Sequence, residues 1–252
     1  MVLELIIGAT VLVSLASLCG IAIFNKREKY LQPLLLFFVS FSAGTLLGAA
    51  FLDLLPESMD SLKTQTAMLF VLGGFIFFFI LEKIIHWHHH HSTHEDAKAE
   101  IKPLGYLNLV GDGLHNFIDG AAIAASFMAG VPIGISTTIA VLLHEIPQEI
   151  GDYSLLMYAG FKKKEAIKLN LLSAALAILG ACLFYYFGSL IENLEGMMLA
   201  FTAGMFTYIA STDLVPEIHK ETDLRKSAIQ LGYFLMGILL IWLLVQYLPN
   251  GG

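Results

Sequence analysis

Eight stretches of this chain, at about 4–24, 34–55, 66–86, 104–128, 133–159, 165–188, 196–217 and 227–248, are long and mostly apolar. A helix that crosses the hydrocarbon core of a bilayer needs about 20 such residues. No other feature restricts the fold as much, because backbone in hydrocarbon must satisfy its own hydrogen bonds, and a helix does so within one segment. The expected fold class is all-α integral membrane, with eight transmembrane helices. Composition agrees: 57% of the residues are hydrophobic and 14% charged, where a soluble globular chain has about 25% charged. That excludes a soluble enzyme and a disordered protein. The formal net charge of -7 repels phosphate, so no nucleic-acid partner is expected. Cys19 and Cys182 both lie in apolar runs and are too few for a disulfide framework.

The first apolar run has no basic residue before it, and Lys26, Arg27 and Lys29 after it. A secretory signal peptide carries its positive charge first, so this run reads as a retained helix with its N-terminus outside. In that orientation the cytoplasmic side receives all 14 Lys and Arg residues except Lys63, as the positive-inside rule requires. Eight crossings then leave both termini extracytoplasmic, in a multi-pass protein of the cell (inner) membrane.

An internal repeat adds to this. Ser42-Ala43-Gly44-Thr45 through Asp53-Leu54-Leu55-Pro56-Glu57 aligns without a gap on Thr202-Ala203-Gly204-Met205 through Asp213-Leu214-Val215-Pro216-Glu217. The first copy ends at the outer surface and the second at the inner one, so the repeat is inverted, as in many transporters with a site near the midplane. Spans 1–3 would then mirror spans 6–8 around spans 4 and 5, a 3+2+3 arrangement. Asp53 and Glu57 fall at the outer mouth, and Asp213 and Glu217 at the inner one.

Spans 4 and 5 carry the chemistry. Between Lys102 and Lys162 there is no Lys or Arg, yet Asp112, Asp119, Glu145, Glu149 and Asp152 lie there with His115 and His144. One acidic side chain at mid-bilayer costs about 2.5–3.5 kcal/mol on insertion scales, so five left bare are untenable. Protons can neutralise some of them, but a metal cation satisfies carboxylates and imidazoles together. On a helical wheel Asp112, His115, Asn116 and Asp119 share an arc of roughly 100°, and His144, Glu145, Gln148, Glu149 and Asp152 one of roughly 140°. His115 with Asp119, and His144 with Gln148, are spaced to reach one ion from one helix face. Pro147 is expected to interrupt the fifth span and free the Leu143 carbonyl as a further oxygen ligand. The mixed imidazole, carboxylate and amide set suits Zn²⁺, Fe²⁺, Mn²⁺ or Cd²⁺ and disfavours Cu⁺. Asn170 and Ser173 of span 6 could add a polar contact to the centre, but read first as capping or packing residues.

His115-Asn116-Phe117-Ile118-Asp119-Gly120 and His144-Glu145-Ile146-Pro147-Gln148-Glu149-Ile150-Gly151-Asp152 resemble the paired signature helices of the ZIP (Zrt/Irt-like) metal transporters. The eight spans, the outside termini, the 3+2+3 repeat and a His-rich loop after the third span are also similar to that family. The resemblance implies a single transmembrane transporter domain over 1–252 that takes a divalent transition metal, usually Zn²⁺, into the cytosol. It implies one metal position at His115, Asp119 and His144, and a second at or near Asn116, Glu145 and Glu149. It also implies an elevator-like movement of spans 1, 4, 5 and 6 against 2, 3, 7 and 8, in a homodimer. This chain departs from the family at Gln148, where the family has His or Glu; a neutral amide is the poorer ligand and weakens the second position.

His86 and His88 to His91, with His94, Glu95 and Asp96, give the cytoplasmic loop (about 86–103) a metal-binding composition. Two other classes fit part of the pattern. A membrane-embedded zinc hydrolase would use His144-Glu145 as half of an H-E-x-x-H motif, but Gln148 replaces its second His. A metal sensor would bind the ion without moving it.

Overall fold

The structure, a computed structural model, describes residues 2–24, 28–87 and 97–247, and all regular structure among them is helical. In chain order the elements are α1 (Val2–Phe24), α2 (Glu28–Ala49), a π-helical segment (Ala50–Leu54), α3 (Leu55–Ser61), α4 (Thr64–Trp87), α5 (Ala97–Ala129) and α6 (Val131–Tyr158). There follow α7 (Lys163–Ala174), α8 (Leu176–Phe187) with a 3₁₀ turn (Gly188–Leu190), α9 (Leu194–Ile209), a second π segment (Ala210–Leu214), α10 (Val215–His219) and α11 (Leu224–Tyr247). Residues 88–96 of the histidine tract, like Lys26 and Arg27, lie outside the described residues.

Among the described residues, five rods are long and apolar enough to cross a membrane: Leu36–Ser61, Thr64–Ile84, Lys163–Leu190, Leu194–His219 and Leu224–Tyr247. The apolar part of α1, Val2–Ala16, is shorter. Helices α5 and α6 are as long as the five but less apolar, because they carry the acidic stripes. On α4 and α11 the exposed faces are Leu69, Leu72, Ile76, Phe79 and Ile80, and Leu231, Leu235, Met236, Leu239 and Trp242. Apolar surface this extensive suits lipid rather than water.

The two π segments have one cause. Pro56 and Pro216 lack an N–H, and each ring would press on the carbonyl four residues earlier. The preceding turn widens by one residue instead. The Leu55 N–H then bonds the Ala50 carbonyl, and the Val215 N–H the Ala210 carbonyl, 160 residues further on. Pro147 acts differently. Instead of interrupting its helix as the sequence suggested, it lies inside a continuous α6. The Leu143 carbonyl that it leaves without a helical donor accepts the Ser42 hydroxyl of α2 at 2.6 Å. It is therefore not a free ligand.

The α7–α8 break is made similarly. The Ile178 N–H turns to the Ala175 carbonyl, and the Ala174 carbonyl accepts Ser14 Oγ of α1 at 2.7 Å. At the end of α6, Gly160 takes a positive φ of 83°. Its N–H bonds the Met157 carbonyl while that of Phe161 bonds Leu156, a Schellman stop that folds α7 back along α6.

Close helix crossings use glycines, which let backbones approach without a Cβ between them. A Cβ on Gly120 would strike the Ala177 carbonyl, and one on Gly180 the Phe117 carbonyl, which ties α5 to α8. Gly44 against Phe234 and Gly237 against Phe41 do the same for α2 and α11. Gly74 against Phe201 and Gly204 against Val71 join α4 to α9. Ile6, Leu46, Ile123, Leu199, Phe206 and Ile241 are buried in the core between these pairs.

Candidate metal centre

Four side chains from α5 and α6 converge in the buried centre of the molecule: His115, Asp119, His144 and Glu145. The two Nε2 atoms are 3.1 Å apart. Asp119 Oδ2 stands 3.3 Å from His115 Nε2 and 3.2 Å from His144 Nε2. Glu145 Oε1 stands 3.5 and 3.7 Å from the same two atoms. Four ligands about 2.0–2.2 Å from a tetrahedral Zn²⁺ are about 3.3–3.6 Å from one another, so these spacings match the edges of such a tetrahedron. The directions argue the same way. Both Asp119 oxygens and Glu145 Oε1 are buried without a hydrogen-bond partner, although Nε2 atoms lie close by. The carboxylate oxygens thus face the imidazoles without bonding them, while the two Nε2 atoms lie within hydrogen-bond distance of each other.

The surroundings prepare the set. His144 Nδ1–H donates to the Ala140 carbonyl at 3.0 Å, which leaves the Nε2 lone pair turned inward, as a metal-binding imidazole requires. Phe78 packs edge-on to His115 and Phe206 to His144, at ring separations of 5.4 and 5.7 Å. Phe78 also lines the cavity that reaches the cluster, whereas Phe206 does not.

This cavity has a volume of about 490 Å³. Its wall includes Asp112, His115, His144, Gln148 and Asp152, and further out Glu82, Tyr208, Asp213 and Glu217. Asp53 and Glu57, the other pair of expected mouth residues, do not line it. Asp53 is buried on the first π segment, with Oδ2 unpartnered.

The structure thus brings His115, Asp119 and His144 together, and adds Glu145, which the family pattern had assigned to the second position. Asn116 turns away and donates its amide to Asp112 Oδ1 at 2.9 Å. Glu149 accepts the Asn170 amide, which is the polar contact from span 6 rather than the packing role. Ser173 bonds the Leu109 carbonyl at 3.2 Å. Three polar residues escaped the sequence reading: Asn108, which donates to Asp152 Oδ1 at 2.9 Å, and the bonded pair Tyr208 and Glu82. Asn108 was findable, since it continues the Asp112–His115 stripe one turn back; Glu82 and Tyr208 come from different helices and carry no motif.

Comparison with known proteins gives the family. The family described as ZIP Zinc transporter matches residues 2–103 and 87–245. Zinc transporter ZIP13 of Pongo abelii is 37% identical over 220 residues, covering 81% of this chain and 64% of the relative. Zinc transporter zipt-7.2 of Caenorhabditis elegans is 33% identical, covering 96% of this chain and 65% of the relative. Zinc transporter ZIP6 of Homo sapiens is 41% identical over 145 residues, or 58% of this chain and 19% of its own length. The chain spans slightly less than two thirds of the first two relatives. With a family match along almost its whole length, the chain belongs to the ZIP zinc transporter family.

Proposed function

We propose that the chain moves divalent transition-metal ions, Zn²⁺ first among them, across the membrane into the cytosol, through the site that α5 and α6 form. The observation that carries this is the convergence of four buried ligand atoms, from His115, Asp119, His144 and Glu145, where no cationic side chain offsets the carboxylates. Two imidazoles and two carboxylates suit Zn²⁺ and admit Fe²⁺, Mn²⁺ and Cd²⁺.

Eight crossings with both termini extracytoplasmic place Asp213 and Glu217 toward the cytosol, next to Lys220, Arg225 and Lys226. The cavity wall includes both residues, which supports release of the ion on that side. The matched π segments and the swap of partners, α2 with α11 and α9 with α4, support the 3+2+3 inverted repeat.

An elevator movement is supported by the glycine crossings. They join α5 to α8, α2 to α11 and α4 to α9, and each falls within one of the two expected moving groups rather than between them. The ion is carried by His115, Asp119, His144 and Glu145 as α1, α5, α6, α7 and α8 shift against the remainder. A homodimer in the cell membrane completes the reading. Neither a zinc hydrolase nor a sensor explains a repeat built on two identical proline-driven distortions.

Uptake of Zn²⁺, Cd²⁺, Mn²⁺ and Fe²⁺ into proteoliposomes tests the proposal. Wild type should show saturable flux, and His115→Ala/His144→Ala, folded and reconstituted to the same density, should show none above empty vesicles. Wild-type flux in the double variant refutes the assignment.

A further inference from the structure

Between the four-atom cluster and the open mouth, the cavity wall holds two carboxylates that are built alike. Asp112 Oδ1 accepts the Asn116 amide, and Asp152 Oδ1 the Asn108 amide, each at 2.9 Å. In both, the second oxygen, Oδ2, is buried without a hydrogen-bond partner. Asp112 itself is only 5% exposed and lines the cavity. The Ser173 and Gln148 side chains approach it without closing a bond to Oδ2. Asp112 belongs to α5 and Asp152 to α6, and the Asn108–Asp152 bond draws the two faces together. Asn108 stands one turn before Asp112 on the same face of α5, so its bond to Asp152 brings the two carboxylates side by side in the cavity wall.

An unpaired buried acceptor is costly, and two facing carboxylates more so. Each oxygen held by an amide is fixed in orientation, so each free oxygen has a set direction. Hydrogen bonds to one side of a ligand orient the other side toward a metal in this way. His115, Asp119 and His144 hold an ion one turn further in, and neither Asp112 nor Asp152 is needed there.

We infer that Asp112 and Asp152 hold a divalent cation of their own, between their Oδ2 atoms on the cavity side of His115. Gln148 and water complete its shell. An all-oxygen, partly hydrated set of this kind takes Mn²⁺ and Cd²⁺ as readily as Zn²⁺. In the proposed transport reading it is a station where the ion exchanges imidazole for water on its way to the mouth. The binding itself does not depend on that reading.

The test uses Mn²⁺, followed by electron paramagnetic resonance, and Cd²⁺, counted by equilibrium dialysis, on the purified full chain. Asp112→Asn/Asp152→Asn is isosteric and removes the facing charges, so it should fold; its melting curve and elution profile check that. Wild type should bind one Cd²⁺ more than this variant, and Mn²⁺ affinity should fall at least about tenfold in it. His115→Ala/His144→Ala should keep the Mn²⁺ signal. Equal Cd²⁺ counts in wild type and the Asp variant overturn the inference, because the pair then shares a proton instead. Loss of the extra ion in Glu149→Gln but not in the Asp variant overturns it too. A Cd²⁺ count that falls in the Asp variant and not in the His variant leaves this site standing and sinks the four-atom reading.

Discussion

The Ser42–Leu143 bond gives a quantitative test of how α6 survives Pro147. Ser42→Ala removes the hydroxyl that meets the Leu143 carbonyl at 2.6 Å. That carbonyl has no donor within α6, because Pro147 stands where the fourth residue on would supply an N–H. Hydrogen bonds between membrane helices are worth about 0.6 kcal/mol on average and about 1.7 kcal/mol at most. With no alternative donor the upper part of that range applies, so Ser42→Ala should lose about 1–1.7 kcal/mol. Pro147→Ala restores an N–H at the position that bonds Leu143, which makes the Ser42 hydroxyl redundant. In the Pro147→Ala background, Ser42→Ala should therefore cost close to nothing. Unfolding of the four proteins by SDS titration from mixed micelles closes the cycle. A Ser42→Ala loss of the same size in both backgrounds refutes the assignment of this hydroxyl to the proline gap.

Two further outcomes are expected. Gln148→His should tighten Cd²⁺ binding and lower both the half-saturation concentration and the turnover of uptake, since imidazole is a better ligand than an amide oxygen and an ion held harder leaves more slowly; unchanged affinity in a dialysis assay shows that Gln148 does not face the ion. A reporter fused after Gly252 should read as extracytoplasmic and one inserted at His88–His91 as cytoplasmic, and finding both on one side removes the eight-crossing topology.

What the sequence disclosed follows from periodicity. His115, Asp119, His144 and Glu145 are neighbours on two helical stripes, so their arcs could be drawn without coordinates, and the structure brings the four together. The matched Pro56 and Pro216 marked the repeat, although the π form of the turns before them was not foreseen. Partners distant in the chain stayed hidden. The donor for the Leu143 carbonyl lies 101 residues earlier, so Pro147 looked like a break. Glu149 meets Asn170 only because the Gly160 turn lays α7 along α6. The family resemblance put Glu145 on or near the second metal position, and its carboxylate stands beside His115 and His144 instead. The cavity is walled by residues of several helices far apart in the chain, Glu82, Asp112, Gln148 and Tyr208 among them, which no local pattern encodes.

The contrast between the five apolar rods and the acidic pair α5 and α6 bears on how the chain is made. On translocon scales an acidic residue at a helix centre costs about 2.5–3.5 kcal/mol, and each Leu or Ile returns only about 0.3–0.6 kcal/mol. With Glu145, Glu149 and Asp152 on one helix, α6 does not partition into lipid by itself. It is synthesised after α1 and α2, both of which it packs against, and before α7, which brings Asn170 to Glu149. An α6 inserted before α7 lacks the Asn170 amide that Glu149 accepts in the folded protein. On this energy scale the order in which the helices emerge bears on whether α6 stays in the bilayer.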